Sequence, residues 1–390
     1  MAPSFLPHGS ASVRQGLPAA AAEEGAAAMP RTPRKPFALA VSAAVLVLAG
    51  LQAGPAHARP AGEPATGKGC GGSTVGEVTL DTTHNTTTGR YELDDAERGH
   101  HRTYDANGST TGNGSLFTDA DNDWCDGGRQ TDGVAAHYIA AVVRDYYLNT
   151  HGRKGIYGDG RGSCSRVHYG NHYANAFWDA VSGCMTYGDG AGGGRPVVTI
   201  ETGAHEMTHG VTSATAGLEY SGEAGGLNEA TSTIFAAAAE FSARNPLDPG
   251  DYLTGERTDI NGTTARGWMD KPSKDGASKD YWYPGIGNVD VHYSSGPANH
   301  FFYLLAEGSG AKDINGVRYD SPTYDGTPVK GIGLSAAEKI WYRALTVHMT
   351  ARTNYAAARA ATLRAAGDLY GAGSGQYAAV AAAWAAVNVK

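Results

Sequence analysis

The sequence predicts an α+β fold in two lobes, the first β-rich and the second helical. Three observations carry that reading. Between about residues 73 and 130 the chain is rich in Thr, Asn and Gly, with short alternating runs such as GEVTLDTT, the pattern of strands joined by turns. Beyond residue 216 the segments become long, rich in Ala and aromatics, and spaced as helices are. Between the two halves stands TGAHEMTHGVTS, a helix with two histidines, at the kind of seam where active sites commonly form.

Taken in order, the chain opens with a leader. From Met29 it reads MPRTPRKPFALAVSAAVLVLAGLQAGPAHARP. Arg31, Arg34 and Lys35 give a positive start. Phe37 to Leu51 is an apolar run, short for a bilayer span, and Ala56–Ala58 is a small-x-small cleavage site. Residues 1–58 are therefore read as a secretory signal peptide cut before Arg59. Residues 1–28 within them are read as a misassigned extension ahead of a true start at Met29. Residues 59–72, RPAGEPATGKGCGG, read as a flexible lead-in. The β-rich lobe is expected over 73–215 and the helical lobe over 216–390.

Within the first lobe GVAAHYIAAVVRDYYLNTHG reads as a long amphipathic helix, and a second β-like stretch runs to about residue 200. The histidine helix follows. The helices expected after it are GLNEATSTIFAAAAEFSAR, GPANHFFYLLAEG, SAAEKIWYRALTVHM, NYAAARAATLRAAGDLYG and QYAAVAAAWAAVN.

The 390 residues carry a formal net charge of −8 and 55 glycines. No block of lysine and arginine suggests a nucleic-acid surface, and no basic helix suggests a membrane surface. A secreted, extracellular monomer is expected, free of the membrane once the leader is removed. Four cysteines, Cys70, Cys125, Cys164 and Cys184, lack a CxxC zinc pattern. An even count in an exported chain suggests two disulfides. Of three pairings we favour Cys164–Cys184, because SCSRVHYG and SGCMTYGD read as adjacent strands; Cys70–Cys125 remains.

The chemistry gathers in GAHEMTHGVTSATAGLEYSGEAGGLNEATST, Gly203 to Thr233. His205 and His209 are four apart, so on a helix both imidazoles share one face and reach one metal. Glu206 stands at the edge of that face, near enough to take a proton from water without being a ligand. This is the HExxH arrangement of zinc hydrolases. A catalytic zinc has three protein ligands and an open position. Glu229, read as opening the next helix after a turn with Gly222, Gly225 and Gly226, completes a His-His-Glu set.

This stretch resembles the thermolysin-like family of zinc metalloendopeptidases, which carry HExxH, 19 intervening residues and a ligand Glu in NEAxxD; 19 residues separate His209 from Glu229 here. The segments AHYIAAVVRDYY, VHYGNHYANAFWDA, MTYGDG, MDKPSKDG, DVHYSSGPANHFFYLL, GIGLSAAEKIWYRALT and DLYGAGSGQYAAVAAAWAAVNVK are similar to family segments in the same order, over roughly residues 73–390. The resemblance implies a thermolysin-like fold and one catalytic zinc held by His205, His209 and Glu229, with Glu206 as general base. It implies that His292, oriented by Asp290, and Tyr220 stabilise the oxyanion. It implies that Asn175 and Ala176 bind an extended substrate backbone. It also implies structural calcium on Glu201, Glu240 and Asp251, with the carbonyl of Leu253 joining them.

Three departures stand out. The aspartate after the ligand Glu is Thr233, which brings no charge beside His205. The family arginine falls on Gly267, with Arg266 one place early. The long propeptide usual in the family has no counterpart in the roughly 14 residues between the cleavage site and the family-like region. The expected function is secreted zinc-dependent cleavage of internal peptide bonds in proteins and peptides, with an apolar residue preferred on the new N-terminal side. One rival is an aminopeptidase, which needs acidic residues to hold a free amino terminus. The other is a catalytically impaired binding protein of the same fold.

Overall fold

The computed structural model describes residues 62–191, 197–258 and 265–390. The predicted signal peptide and the extension 1–28 lie outside the described residues. The described residues belong to one compact unit.

The β-rich part contains β1 (Gly62–Cys70), α1 (Gly72–Val75), β2 (Glu77–Asn85), β3 (Arg90–Glu92), β4 (Asp94–Asp95), β5 (His101–Asp105), β6 (Ser115–Leu116), β7 (Thr118–Asp119), β8 (Asp123–Trp124), α2 (Arg129–His151), β9 (Cys164–Val167), β10 (Ala176–Asp179) and β11 (Cys184–Tyr187). One sheet has the order β7-β3-β2-β1-β8 and the other β10-β11-β9-β5-β4, with β6 pairing β5. Residues 62–70, expected to be a flexible lead-in, are instead β1. This strand is antiparallel to β2 from Gly62↔Asn85 to Cys70↔Glu77 and parallel to β8 at Lys68↔Asp123. Its glycines and proline have weak strand propensity, so pairing on both sides and the disulfide Cys70–Cys125 hold it.

The second disulfide is Cys164–Cys184, joining the first residues of β9 and β11. Those strands are parallel and in register at the two cysteines, so both expected pairings are present. β10 turns into β11 through a hairpin whose tip residue Val181 is 99% exposed. Beyond it, the His168 ring ties the segment just after β11 to the start of α2: one ring nitrogen meets Asp189 at 2.6 Å and the other the carbonyl of Arg129 at 3.0 Å.

From α3 (Ile200–Ser213) onward the chain is mainly helical: α4 (Gly222–Ala243), the short pair β12 (Leu253–Thr254) and β13 (Gly267–Trp268), α5 (Val291–Ser294), α6 (Gly296–Glu307), the hairpin β14 (Gly310–Ile314) and β15 (Val317–Ser321), then α7 (Leu334–Arg343), α8 (Tyr355–Tyr370) and α9 (Gly375–Ala386). The helix α4 is apolar nearly all round, as a buried helix is, and from Ala224 to Glu240 every residue is buried. The core runs continuously from Ile139 and Val143 on α2, through Ala204 and Met207 on α3, to Ile234 and Phe235 on α4. At its far end Phe301 and Trp384 stack with ring centres 3.8 Å apart. The fold is thus the expected α+β one, with the histidine helix between the two parts. No helix of the described residues is long and apolar enough to cross a membrane.

Candidate metal centre and active-site cleft

Two glycines let the histidine helix sit where it does. A Cβ at Gly203 would lie 2.3 Å from Ile139 Cγ2 on α2, and one at Gly210 would lie 2.8 Å from Ile156 Cγ2 and 3.0 Å from the Trp178 ring on β10. The helix begins with Thr199, whose hydroxyl accepts from the Thr202 amide at 3.0 Å, as N-cap threonines do. With α3 so fixed, His205 and His209 face α4.

Glu229 does not open α4; it lies in the third turn, because the helix starts at Gly222. Of the glycines read as a turn, Gly222 stands at the helix start with a positive φ of 60°, whereas Gly225 and Gly226 are helical, and close neighbours explain those two. A Cβ at Gly225 would lie 2.4 Å from Val291 Cγ1, and one at Gly226 would lie 2.7 Å from Ser294 Oγ. Small residues there let α5 and its histidine approach α4.

Nε2 of His205 and Nε2 of His209 are 3.1 Å apart, and they stand 3.4 and 3.6 Å from the Glu229 carboxylate oxygens. All three ligand atoms lie within 4.8 Å of one another. Two imidazole nitrogens and one carboxylate, converging in a largely buried place, are the donor set of a catalytic zinc site. The electrostatics agree. Burial and the neighbouring His205 push His209 down to about 4, so this ring is neutral. Burial disfavours the charged forms of His205 and Glu229, but their contact prevails, raising His205 and lowering Glu229. Asn228, one residue before Glu229, accepts from His209 Nδ1 at 2.8 Å and donates to the Leu218 carbonyl at 2.9 Å. It fixes the ring so that Nε2 faces the triad. Sequence reasoning passed over Asn228, although its place beside the ligand Glu was a usable signal.

Around this centre stand the other expected groups. Glu206 is buried, and burial raises its carboxyl to about 7. Tyr220 donates its hydroxyl to Glu229 and lies 3.3 Å from Nε2 of His292. Asp290 accepts from Nδ1 of His292 at 2.8 Å and caps α5 through the His292 amide at 3.0 Å. That contact holds Asp290 below its ordinary carboxylate range. Asn175 lines the cavity beside the triad. Ala176 begins β10, which lies at the edge of its sheet and, among the described residues, pairs only with β11.

The cavity has a volume of about 560 Å³ and runs from His205 and Glu206 past Thr202 and Thr233 to Asn299. Thr254 pairs with Gly267 across β12 and β13. A Cβ on Gly267 would lie 2.3 Å from the Thr254 hydroxyl, which explains glycine where the family arginine was expected. Arg266 lines the cavity from the next position, its stem against Gly255 and its guanidinium 3.5 Å from the Thr258 carbonyl.

The acidic residues expected to bind calcium are only partly the ones that converge. Carboxylates of Glu240, Asp248 and Glu256 come within 4.8 Å of one another. Glu201 instead accepts from the Gly255 amide at 2.8 Å, and Asp251 from the Leu253 amide at 2.6 Å; both remain close enough to raise Glu240 further. Burial is the main cause of the raised carboxyls throughout, reaching about 6 for Asp251 and about 7 for Glu256. One oxygen each of Glu240, Asp248 and Glu256 is buried without a hydrogen-bond partner. Asp248 and Glu256 were missed because acids in a loop carry no periodic signal.

Comparison with known proteins agrees with this geometry. Residues 66–213 match the thermolysin metallopeptidase catalytic domain, and residues 216–389 match the thermolysin metallopeptidase alpha-helical domain. The chain is 59% identical over 318 residues to the transglutaminase-activating metalloprotease of Streptomyces mobaraensis, covering 80% of this chain and 41% of that protein. It is 40% identical to the thermostable neutral protease NprT of Geobacillus stearothermophilus, covering 84% of this chain and 59% of that one. Among solved structures it is similar to the precursor of protealysin, a metalloproteinase from Serratia proteamaculans, with a TM-score of 0.57 and 26% identity over 74% of this chain and 87% of the other. The chain spans between two fifths and three fifths of the length of these two curated relatives. With two domain matches in tandem along the described fold, and the zinc-type triad between them, the chain belongs to the thermolysin metallopeptidase family.

Proposed function

We propose that this chain is an exported zinc endopeptidase that hydrolyses internal bonds of proteins and peptides. The observation that carries the proposal is the convergence of His205, His209 and Glu229, with Glu206 on one side and Tyr220 and His292 on the other. The three ligands would hold zinc, which when bound acidifies water and polarises a peptide carbonyl. Glu206 takes the proton from the attacking water and delivers it to the leaving nitrogen. Its buried setting favours that exchange, because a carboxyl poised near neutrality both accepts and releases a proton. Tyr220 and the Nε2–H of His292 donate to the oxygen that gains negative charge, and Asp290 keeps His292 in the tautomer that can do so. An extended substrate adds as a strand along the free edge of β10, guided by Asn175 and Ala176.

The reading includes structural calcium at the Glu240–Asp248–Glu256 cluster, with Glu201 and Asp251 beside it. Hard oxygens and unpartnered buried carboxylates support that ion. It also includes export through the leader, monomeric action outside the cell, and lobes of 73–215 and 216–390 that meet at the cleft. The test is casein hydrolysis by the zinc-loaded secreted protein beside its Glu206→Gln variant. Turnover by the first and none by the second bears the proposal out. A folded, zinc-loaded wild type that leaves casein intact points to a binding protein of the same fold. That rival draws on Thr233, since His205 Nδ1 has no hydrogen-bond partner among the described residues.

A further inference from the structure

The two groups proposed to stabilise the oxyanion come from different elements. Tyr220 lies between α3 and α4, His292 lies on α5, and their polar atoms stand 3.3 Å apart. A pair of donors works only if that spacing is fixed. Yet α5 is one turn of four residues, too short to hold a direction of its own, and the His292 side chain is exposed. Packing on Gly225 and Gly226 brings α5 near α4. Its tilt needs a directional bond.

One segment touches both sides of the pair: Ala351 to Tyr355, which leads into α8. On one side the amide of Glu219, next to Tyr220, donates to the Ala351 carbonyl at 2.8 Å. Arg352 adds an ion pair with the Glu219 carboxylate, but an exposed one, which contributes little. On the other side the Tyr355 hydroxyl donates to the Ser294 carbonyl at 2.5 Å. Ser294 ends α5 and is buried. Its carbonyl lacks the usual helical partners: Pro297, three residues on, has no N–H, and the Ala298 amide bonds Ser295 instead. A buried carbonyl needs a donor, and a buried hydroxyl 61 residues away supplies it. A longer bond, from the Lys279 amide to the Tyr293 carbonyl at 3.2 Å, is a second hold on the same turn. Tyr355 is itself well anchored. Its ring is fully buried and edge-on to Trp384, and its amide donates to the Glu223 carboxylate on α4 at 2.8 Å.

We infer that Tyr355 is a positioning residue for the oxyanion site: its hydroxyl holds α5 by the Ser294 carbonyl and so sets His292 at its distance from Tyr220. The inference rests on the endopeptidase reading. Tyr355 acts through His292 and not on the substrate. A peptide carbonyl needs the His292 donor most when it has gained negative charge. Losing the hydroxyl should therefore lower turnover more than binding.

The test is Tyr355→Phe, which keeps the ring against Trp384 and removes only the hydroxyl; melting and zinc content check that the variant is folded and loaded. On a peptide substrate kcat should fall about tenfold with KM within about twofold, the mark of an interaction made in the transition state. A peptide phosphonate carries the tetrahedral oxygen charge, and it should bind Tyr355→Phe about tenfold more weakly than wild type. The matching uncut peptide should bind zinc-loaded Glu206→Gln equally with and without Tyr355→Phe. In a His292→Ala background Tyr355→Phe should cost nothing further in kcat or in phosphonate affinity, because the two act as one unit. An unchanged kcat, or the same loss on top of His292→Ala, overturns the inference and leaves the endopeptidase reading intact. If wild type cuts no peptide but Tyr355→Phe still weakens the phosphonate, and does so only when His292 is present, the endopeptidase reading fails and the positioning role stands. If wild type cuts no peptide and the phosphonate binds both proteins alike, both fail.

Discussion

The two zinc-type histidines are supported unequally. His209 is held by Asn228, whereas His205 has Thr233 nearby and no partner on Nδ1. Replacing Asn228 by Ala should lower zinc affinity about 10–100-fold, the usual cost of losing a group that orients a ligand; competition with a chromophoric chelator measures it. Proton competition should also be unequal. His209 is already neutral down to about pH 4, while His205 holds its proton to higher pH than usual. Zinc affinity should therefore fall about tenfold per pH unit below the His205 pKa, the slope of one proton. A slope of two would contradict the assignment. At this scale the sequence was most legible where geometry is local. Histidines four apart on a helix must share a face, so HEMTH spoke for itself. Glu229 needed the family spacing, because the turn that brings α4 back across α3 is a tertiary fact. Asn299 was illegible, since nothing near it in sequence says that it reaches a cavity shared with Thr233.

Elements were legible where their pattern is strong and their partners are near. The helices α2, α4 and α6 to α9 follow Ala- and aromatic-rich segments and α3 its histidine segment, whereas the short α5 was not foreseen and β1 was misread because its Gly- and Pro-bearing residues are strand only through pairing. The start of α4 was misplaced for a related reason: Gly225 and Gly226 signal a turn in sequence, but here they admit α5. The acid cluster links α3, α4 and the segment that follows. Its carboxyls hold their protons to higher pH in the folded chain than in the unfolded one. From about pH 4, the ordinary carboxylate range, to about 7, where Glu256 titrates, the folded chain thus binds more protons than the unfolded. Stability of the metal-free protein should fall as pH rises through that window. Calcium should raise the melting temperature most at the upper end. A melting temperature that rises with pH in chelator would contradict this account.

Across the whole molecule, two disulfides staple the β-rich part and leave the helical part to its core. The loops they close differ, with sequence separations of 55 and 20 residues. Chain-entropy arguments give about 4 kcal/mol for Cys70–Cys125 and about 3 kcal/mol for Cys164–Cys184. Denaturant titration of Cys→Ser pairs should find both losses, the larger for Cys70–Cys125. The Val181 hairpin has a consequence of its own. Its tip projects fully into water between β10 and β11, as sites of proteolytic nicking do, and it falls between Cys164 and Cys184. A chain clipped at that tip would stay covalently whole, migrating as one band until a reducing agent released two fragments. The same clip would unhook one end of β10 from its hairpin, so a preparation that looks intact without reductant could already have lost the rigid rail that the proposed function assigns to substrate alignment.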